Sequence, residues 1–364
     1  MATEIKYDYR PNYAIHPGEI LEEVLESRDI TRSQLSDRSG ITEKTISQII
    51  NRKAPVTPET ALMLEKVLGV SADIWSNLDS QYRLFNARQK QEENLRQRIE
   101  WASSFPLNEL RKRKVLTQTR DKVKAVDELF GFFGVASIDS WRELYVDIVV
   151  SYRRVKAYEG TPESIASWLR MAELKAETTE TKTYSRKTFN EHLSSIRNIT
   201  DREPEYFIPV IKELCADAGV ALVIVPDLPN TRVSGATRWL NTRKAMIALS
   251  LRYKSNDQFW FTFFHEVGHL VLHEKKRVFI DYQTNGEDTL ENEADSFARD
   301  ALIPPQMYKR FLQTGRYYKP DIVRFAEMIG IAPGIVAGIL QHDGHIKYEW
   351  HNDLKQRIDL KEVD

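Results

Sequence analysis

Cysteine is almost absent: Cys215 is the single thiol in 364 residues. That excludes a disulfide framework and a cysteine-rich zinc site within one chain, and it fits a reducing cytoplasm. Long apolar runs are missing too. No stretch approaches the roughly 20 apolar residues that span a bilayer, and residues 1–17 are polar with no apolar signal core. A cytoplasmic setting is therefore expected. Nor is there an excess of charge of one sign: 52 Lys and Arg stand against 53 Asp and Glu, a net charge of −1. A uniformly basic nucleic-acid binder is excluded, while a local basic face is not. No internal repeat is evident. What remains is ordinary for packed domains, with 41% hydrophobic residues and a length that suits two or three domains.

Helix signals come first along the chain. Pro17 suits a first helical turn, followed by Ile20, Leu21, Val24 and Leu25 at helical spacing. Thr31 is a good N-cap for a second helix carrying Leu35, and Thr42 for a third with Ile46, Ile49 and Ile50 inward. Thr57-Pro58 opens a fourth with Leu62, Leu64 and Leu68 inward, and Ser71 a fifth around Ile74 and Trp75. Residues 81–98 read as a polar helical connector. Residues 107–199 read as mostly helical, with Leu129, Phe130, Phe132 and Phe133 as core and a polar loop over 177–187. Val220–Val225 and Ala245–Leu249 are short apolar runs of strand type. The fold class expected is mainly α, of α+β type with a small sheet. The expected division is an arm (1–13), a helix-turn-helix unit (14–80), a helical middle region (81–200) and a zincin-like unit (201–364).

In the first unit Ser39-Gly40-Ile41 makes a turn, with glycine allowing a positive φ. The helix after it turns its isoleucines inward and shows small and amide side chains near its amino end, as entry into a major groove requires. Lys44, Thr45, Ser47 and Gln48 are the candidates for that outward face, with Lys44, Thr45 and Gln48 aimed at base edges. Arg32, Gln34, Arg52 and Lys53 suit phosphate contacts. A small helical protein-interaction bundle is the plain alternative. His16-Pro17-Gly18-Glu19-Ile20-Leu21, Ser39-Gly40-Ile41, Thr45-Ile46-Ser47 and Thr57-Pro58-Glu59-Thr60-Ala61 together resemble the HigA-type antitoxins of the Xre family. The resemblance covers about a fifth of the chain. It implies a homodimer on palindromic operator DNA, usually the protein's own promoter, and often a toxin partner.

His265-Glu266-Val267-Gly268-His269 sits within a run apolar enough for a buried helix. Histidines four apart share a helix face and can share one zinc ion, and Glu266 can act as general base on water at the metal. A third ligand is needed. On the helix expected over Leu290–Leu302, Glu291 falls inside the apolar arc near Ala294 and Ala298, whereas Glu293 falls outside it beside Ser296 and Asp300. A carboxylate in an inward arc is costly unless paired or metal-bound, which selects Glu291. Asp295, one turn on, can accept a hydrogen bond from a ligand imidazole. His273 continues the spacing but lies too far along the axis from His265 to share an ion, and reads as a helix-end histidine. Tyr253, Tyr317, Tyr318, His342 and His345 are open options for stabilising an oxyanion. Ala245–Leu249 could be an edge strand that pairs with an extended substrate, or an ordinary core strand. Lys112–Lys114 reads as a solvated helix face.

Phe261 to His269, Glu291 to Ala298 and Leu302-Ile303-Pro304 resemble the ImmA/IrrE metallopeptidases, although that family often has asparagine where this chain has Asp295. The resemblance implies zinc and action on repressor-type regulators. The function expected is a DNA-binding repressor and antitoxin carrying a zinc endopeptidase. The alternatives are a non-catalytic zinc-binding antitoxin whose C-terminal part binds a partner or signal, and a protease acting on a regulator in trans.

Overall fold

The computed structural model describes residues 12–153, 161–273, 279–280 and 289–358. The expected N-terminal arm lies outside the described residues apart from its last two, and so does a short part of the expected 107–199 helical region. The chain forms two compact units, Met1–Ile99 and Glu100–Asp364.

The first unit runs α1 (Pro17–Ser27), α2 (Arg32–Ser39), α3 (Glu43–Ile50), α4 (Pro58–Leu68) and α5 (Ala72–Arg96). Its helices start where the sequence supplies caps. Thr31, Thr42 and Thr57 accept from the amides of Gln34, Thr45 and Thr60, and Ser71 caps α5. His16 caps α1 through Nδ1, 2.9 Å from the Gly18 amide. Gly18 has a steric role, since a Cβ there would lie 2.2 Å from the carbonyl oxygen of Ile49. The start of α1 can therefore press on the end of α3 only with glycine at that position. Gly40 ends α2 at φ 75°, as the turn demanded. Leu21, Leu25, Leu35, Ile46, Ile49, Leu64, Leu68 and Trp75 form the core. Leu62 and Ile74, expected inward, are instead 55% and 50% exposed. The buried stripe of α4 is Ala61, Leu64 and Leu68, and Leu62 falls a helical step outside it. Ile74 is likewise one step from buried Trp75. Helix α5 continues without a break through residue 80, where a boundary was expected.

The second unit begins with α6 (Ile99–Ser103), α7 (Leu107–Lys112), α8 (Lys122–Phe133), α9 (Ile138–Arg153), α10 (Pro162–Thr178), α11 (Arg186–Arg197) and α12 (Pro204–Asp217). It continues through β1 (Val220–Ile224), β2 (Gly235–Asn241), β3 (Lys244–Leu249), α13 (Asn256–Leu272), β4 (Phe279–Ile280), α14 (Thr289–Leu302), α15 (Pro305–Gln313), α16 (Lys319–Ile329) and α17 (Pro333–His342). Leu129, Phe130, Phe132 and Phe133 are buried as expected. Arg113 departs from the solvated face expected of its charge run: its guanidinium donates to the carbonyls of Pro226 and Asp227, each at 2.6 Å.

The sheet order is β1-β3-β2-β4, with β1 parallel to β3 and β2 antiparallel to both β3 and β4. The run Ala245–Leu249 is therefore a central strand with neighbours on both sides. Its continuous apolar run is that of a strand buried on both faces, and an edge role for it is excluded. Helix α13 packs on β2 and β3, with α14 and α17 against its other sides. No single helix among the described residues is long and apolar enough to cross a membrane.

Candidate functional site

Helix α13 owes its burial to its sequence. Phe259, Trp260, Phe263, Phe264, Val267 and Leu270 surround it with apolar contacts on nearly every side. Even the polar residues His265, Glu266 and His269 within it are consequently at most 2% exposed. Gly268 sets the distance to the next helix, because a Cβ there would lie 3.1 Å from Cα of Ala294 on α14. That close approach carries Glu291 over the two histidines.

Ligand-type atoms of His265, His269 and Glu291 all lie within 4.8 Å of one another. The two Nε2 atoms are 2.9 Å apart, and Glu291 reaches them at 3.1 and 3.5 Å. Burial lowers the pKa of His269 and favours its neutral, ligating form. Burial alone would raise that of Glu291, but hydrogen bonds from both histidines outweigh it and bring the carboxyl down to about 2. An anionic carboxylate and two imidazoles turned to one point make a donor set that fits a divalent cation such as zinc. Asp295 places Oδ1 2.8 Å from Nδ1 of His265.

The sequence reading passed over Thr237 and Gly235, and it gave His273 and Glu293 no part in the centre. Thr237 on β2 donates from Oγ1 to Oε2 of Glu266 at 2.6 Å, and the same hydroxyl lies 3.0 Å from the Glu266 carbonyl oxygen. Gly235, on the same face of β2, leaves room for that carboxylate, as a Cβ would lie 2.6 Å from Oε1. His273 and Glu293 also join the cluster, since the His273 ring meets Nδ1 of His269 at 3.0 Å and Glu293 at 3.1 Å. The local signals were weak: β2 mixes Arg238 into its run, and Glu293 lies off the apolar arc of α14. Among the oxyanion options, His342 is linked to the centre through rings, its centroid 6.1 Å from Phe261, which is 6.5 Å from His265. Tyr317 is engaged at 3.0 Å with the Leu312 carbonyl.

In the first unit α3 keeps Ile46, Ile49 and Ile50 in the core and turns Lys44 fully outward, with Thr45, Ser47 and Gln48 half-buried. Arg32 is 3.0 Å from Glu22, and Arg52 is 2.6 Å from Glu19. Gln34 completes a capping box by accepting from the Thr31 amide at 3.0 Å, while Lys53 is exposed beyond the end of α3.

A helix-turn-helix family model matches residues 21–75, and an IrrE N-terminal-like domain of the M78 peptidase class matches residues 217–337. The chain is similar to the uncharacterized HTH-type transcriptional regulator YddM of Escherichia coli (strain K12), 32% identical over 71 residues that make up 20% of this chain and 76% of that protein. It is also similar to the virulence-associated protein I of Dichelobacter nodosus, 36% identical over 77 residues, 21% of this chain and 71% of that one. Among solved structures, an addiction module antidote protein of the HigA family from Coxiella burnetii matches at 32% identity and a TM-score of 0.21, covering 23% of this chain and 91% of that one. By these matches the chain belongs to the Xre-type helix-turn-helix proteins, and it carries an IrrE-like domain of the M78 peptidase family in its C-terminal half.

Proposed function

We propose that this protein is a DNA-binding transcriptional repressor and antitoxin that carries a zinc-dependent endopeptidase centre. The observation that carries the catalytic part is the convergence of His265, His269 and Glu291 beside a buried Glu266 whose carboxylate is held by Thr237. His265, His269 and Glu291 would hold the metal, and zinc there supplies Lewis-acid chemistry. Glu266 takes the proton of the attacking water, and Thr237 fixes the carboxylate that receives it. Burial of α13 keeps bulk water from the histidines. The exposed face of α3 supports DNA recognition, and the relation to a protein named a transcriptional regulator supports a promoter as the target. Paired half-sites call for a homodimer, and a toxin or regulator is the protein partner this reading implies.

The test joins metal analysis to cleavage. Wild-type protein should hold about one zinc per chain, and changing His265 and His269 together to alanine should abolish it. Glu266→Gln should keep the metal and the DNA affinity while losing roughly 10²-fold or more in cleavage. Zinc-loaded wild type that leaves itself, its co-purified neighbour and its DNA-bound partners uncut would remove the catalytic claim and leave a binding-only antitoxin.

A further inference from the structure

Helix α14 supplies more to the centre than a ligand. Glu291, Glu293 and Asp295 follow one another at every second position, yet all three side chains end at the histidines of α13. Asp295 reaches His265 directly, whereas Glu293 is separated from His269 by another ring. That ring belongs to His273, which terminates α13 and has a side chain only 4% exposed.

With a metal bound at the two Nε2 atoms, the order of the remaining atoms sets where the protons sit. Nε2 of His269 faces Nε2 of His265 and the Glu291 carboxylate. As a ligand through Nε2, His269 must carry its proton on Nδ1. That nitrogen lies 3.0 Å from Nδ1 of His273. A hydrogen bond there makes His273 the acceptor at Nδ1, which forces its own proton onto Nε2. This second N–H points at Oε2 of Glu293, 3.1 Å away. Each assignment follows from the one before, and every nitrogen finds a partner of the right kind.

We infer that His273 and Glu293 are positioning residues for the metal centre: Glu293 orients His273, and His273 holds His269 in the tautomer and ring orientation that present Nε2 to zinc. This rests on the zinc reading above. The two ligand histidines are thus backed unequally, His265 by a carboxylate and His269 by a neutral imidazole that relays one. Outer hydrogen-bond partners of this kind commonly change metal affinity by about 10- to 100-fold.

Zinc affinity measured by chelator competition on the full chain tests this, with circular dichroism of each metal-free variant to report folding. His273→Phe keeps the ring volume without either nitrogen and should weaken zinc binding by about 10- to 100-fold. Glu293→Ala, whose carboxylate is more exposed, should weaken it by roughly tenfold, and Glu293→Gln, which still offers an oxygen to Nε2–H, should recover part of the loss. Because Glu293 acts through His273, adding Glu293→Ala to His273→Phe should cost nothing further. Nitrogen-15 spectra of the zinc-loaded protein should show His273 protonated at Nε2 alone. Independent, additive losses, unchanged affinity in both single variants, or His273 protonated at Nδ1 would overturn the relay while leaving the zinc site in place. A wild type that binds no zinc would instead overturn the metal reading itself, and the relay with it.

Discussion

Two corners in this chain share one framework and put it to opposite use. In the first, α2 and α3 meet at Gly40. In the second, α16 and α17 meet at Gly330 with a bend of 115°. Both glycines adopt a left-handed conformation, at φ 75° and 71°. Counting from each glycine, Leu35 matches Phe325, Ile41 matches Ile331, Ile46 matches Val336, Ile49 matches Ile339 and Ile50 matches Leu340, and all ten side chains are buried. The outward positions differ. Where α3 carries Lys44, Thr45, Ser47 and Gln48, α17 carries Gly334, Ile335, Ala337 and Gly338. Gly334, Ile335 and Ala337 are buried and Gly338 is half-buried, with Gly334 against Leu354 and Lys355, and Gly338 against Asp257. Apolar spacing and a glycine build the corner, while the residues between the apolar positions decide whether it turns a polar face outward or packs on its own domain.

The largest effect should come from uncovering the second corner. Lys355 reaches Oδ2 of Asp257 at 2.8 Å and donates to Gln341 on α17 at 2.7 Å. Asp257 is 3% exposed. Lys355→Met leaves that carboxylate buried with its cation gone, which should destabilise the C-terminal unit by about 3–5 kcal/mol. Urea unfolding followed on that unit measures it, and a loss below about 1 kcal/mol would mean that the ion pair does not hold α17 down.

Next comes the direct exchange of outward residues. Gly338 occupies the position that Gln48 holds on α3, and a Cβ at Gly338 would lie 2.6 Å from Oδ2 of Asp257. Gly338→Gln should therefore cost about 1–3 kcal/mol or more through overpacking. An unaffected melting temperature would show that the second corner tolerates an outward side chain and that the contrast drawn above is weaker than the geometry implies.

These corners also mark what was legible in the sequence. The first was readable because its threonine caps, its glycine and its polar outward face all pointed the same way. The second has the same spacing, but its outward positions are apolar or glycine, so it reads only as a buried helix pair. The cluster of His265, His269 and Glu291 was legible as a candidate metal site because the two histidines share one helix face and Glu291 lies inside an apolar arc. Thr237, Gly235 and His273 were not, because their parts depend on how β2 and α14 cross α13. No local periodicity encodes that crossing. Ala245–Leu249 was recognisable as a strand, while its central place depended on β2, whose run is broken by Arg238.

Within the first corner the effects should fall on recognition and leave the fold alone. Gln48 is half-buried on the outer side of α3. Gln48→Ala should barely change stability but should cut discrimination between operator and altered operator by about 1–3 kcal/mol if its amide reads an adenine edge. Competition gel shifts with single-base operator variants check this. Equal losses on all sequences would assign Gln48 to the backbone instead.

Arg32 should give the smallest effect and separates two roles that one residue can hold. It pairs with Glu22 at 3.0 Å, and both side chains are nearly half exposed. Exposed pairs of this kind contribute about 0.2–1 kcal/mol, so Arg32→Ala should scarcely move the melting temperature. A phosphate bound by Arg32 would compete with Glu22 for the same guanidinium and release a counterion from the DNA. Removing the side chain should then lower the slope of log affinity against log salt by about 0.9, alike on every sequence. Glu22→Gln sharpens the reading, because it frees Arg32 without removing it and should tighten binding slightly at low salt. A salt slope unchanged by Arg32→Ala would leave Arg32 as a surface ion pair only, and would shift the expected phosphate contacts to Arg52 and Lys53 at the far end of α3.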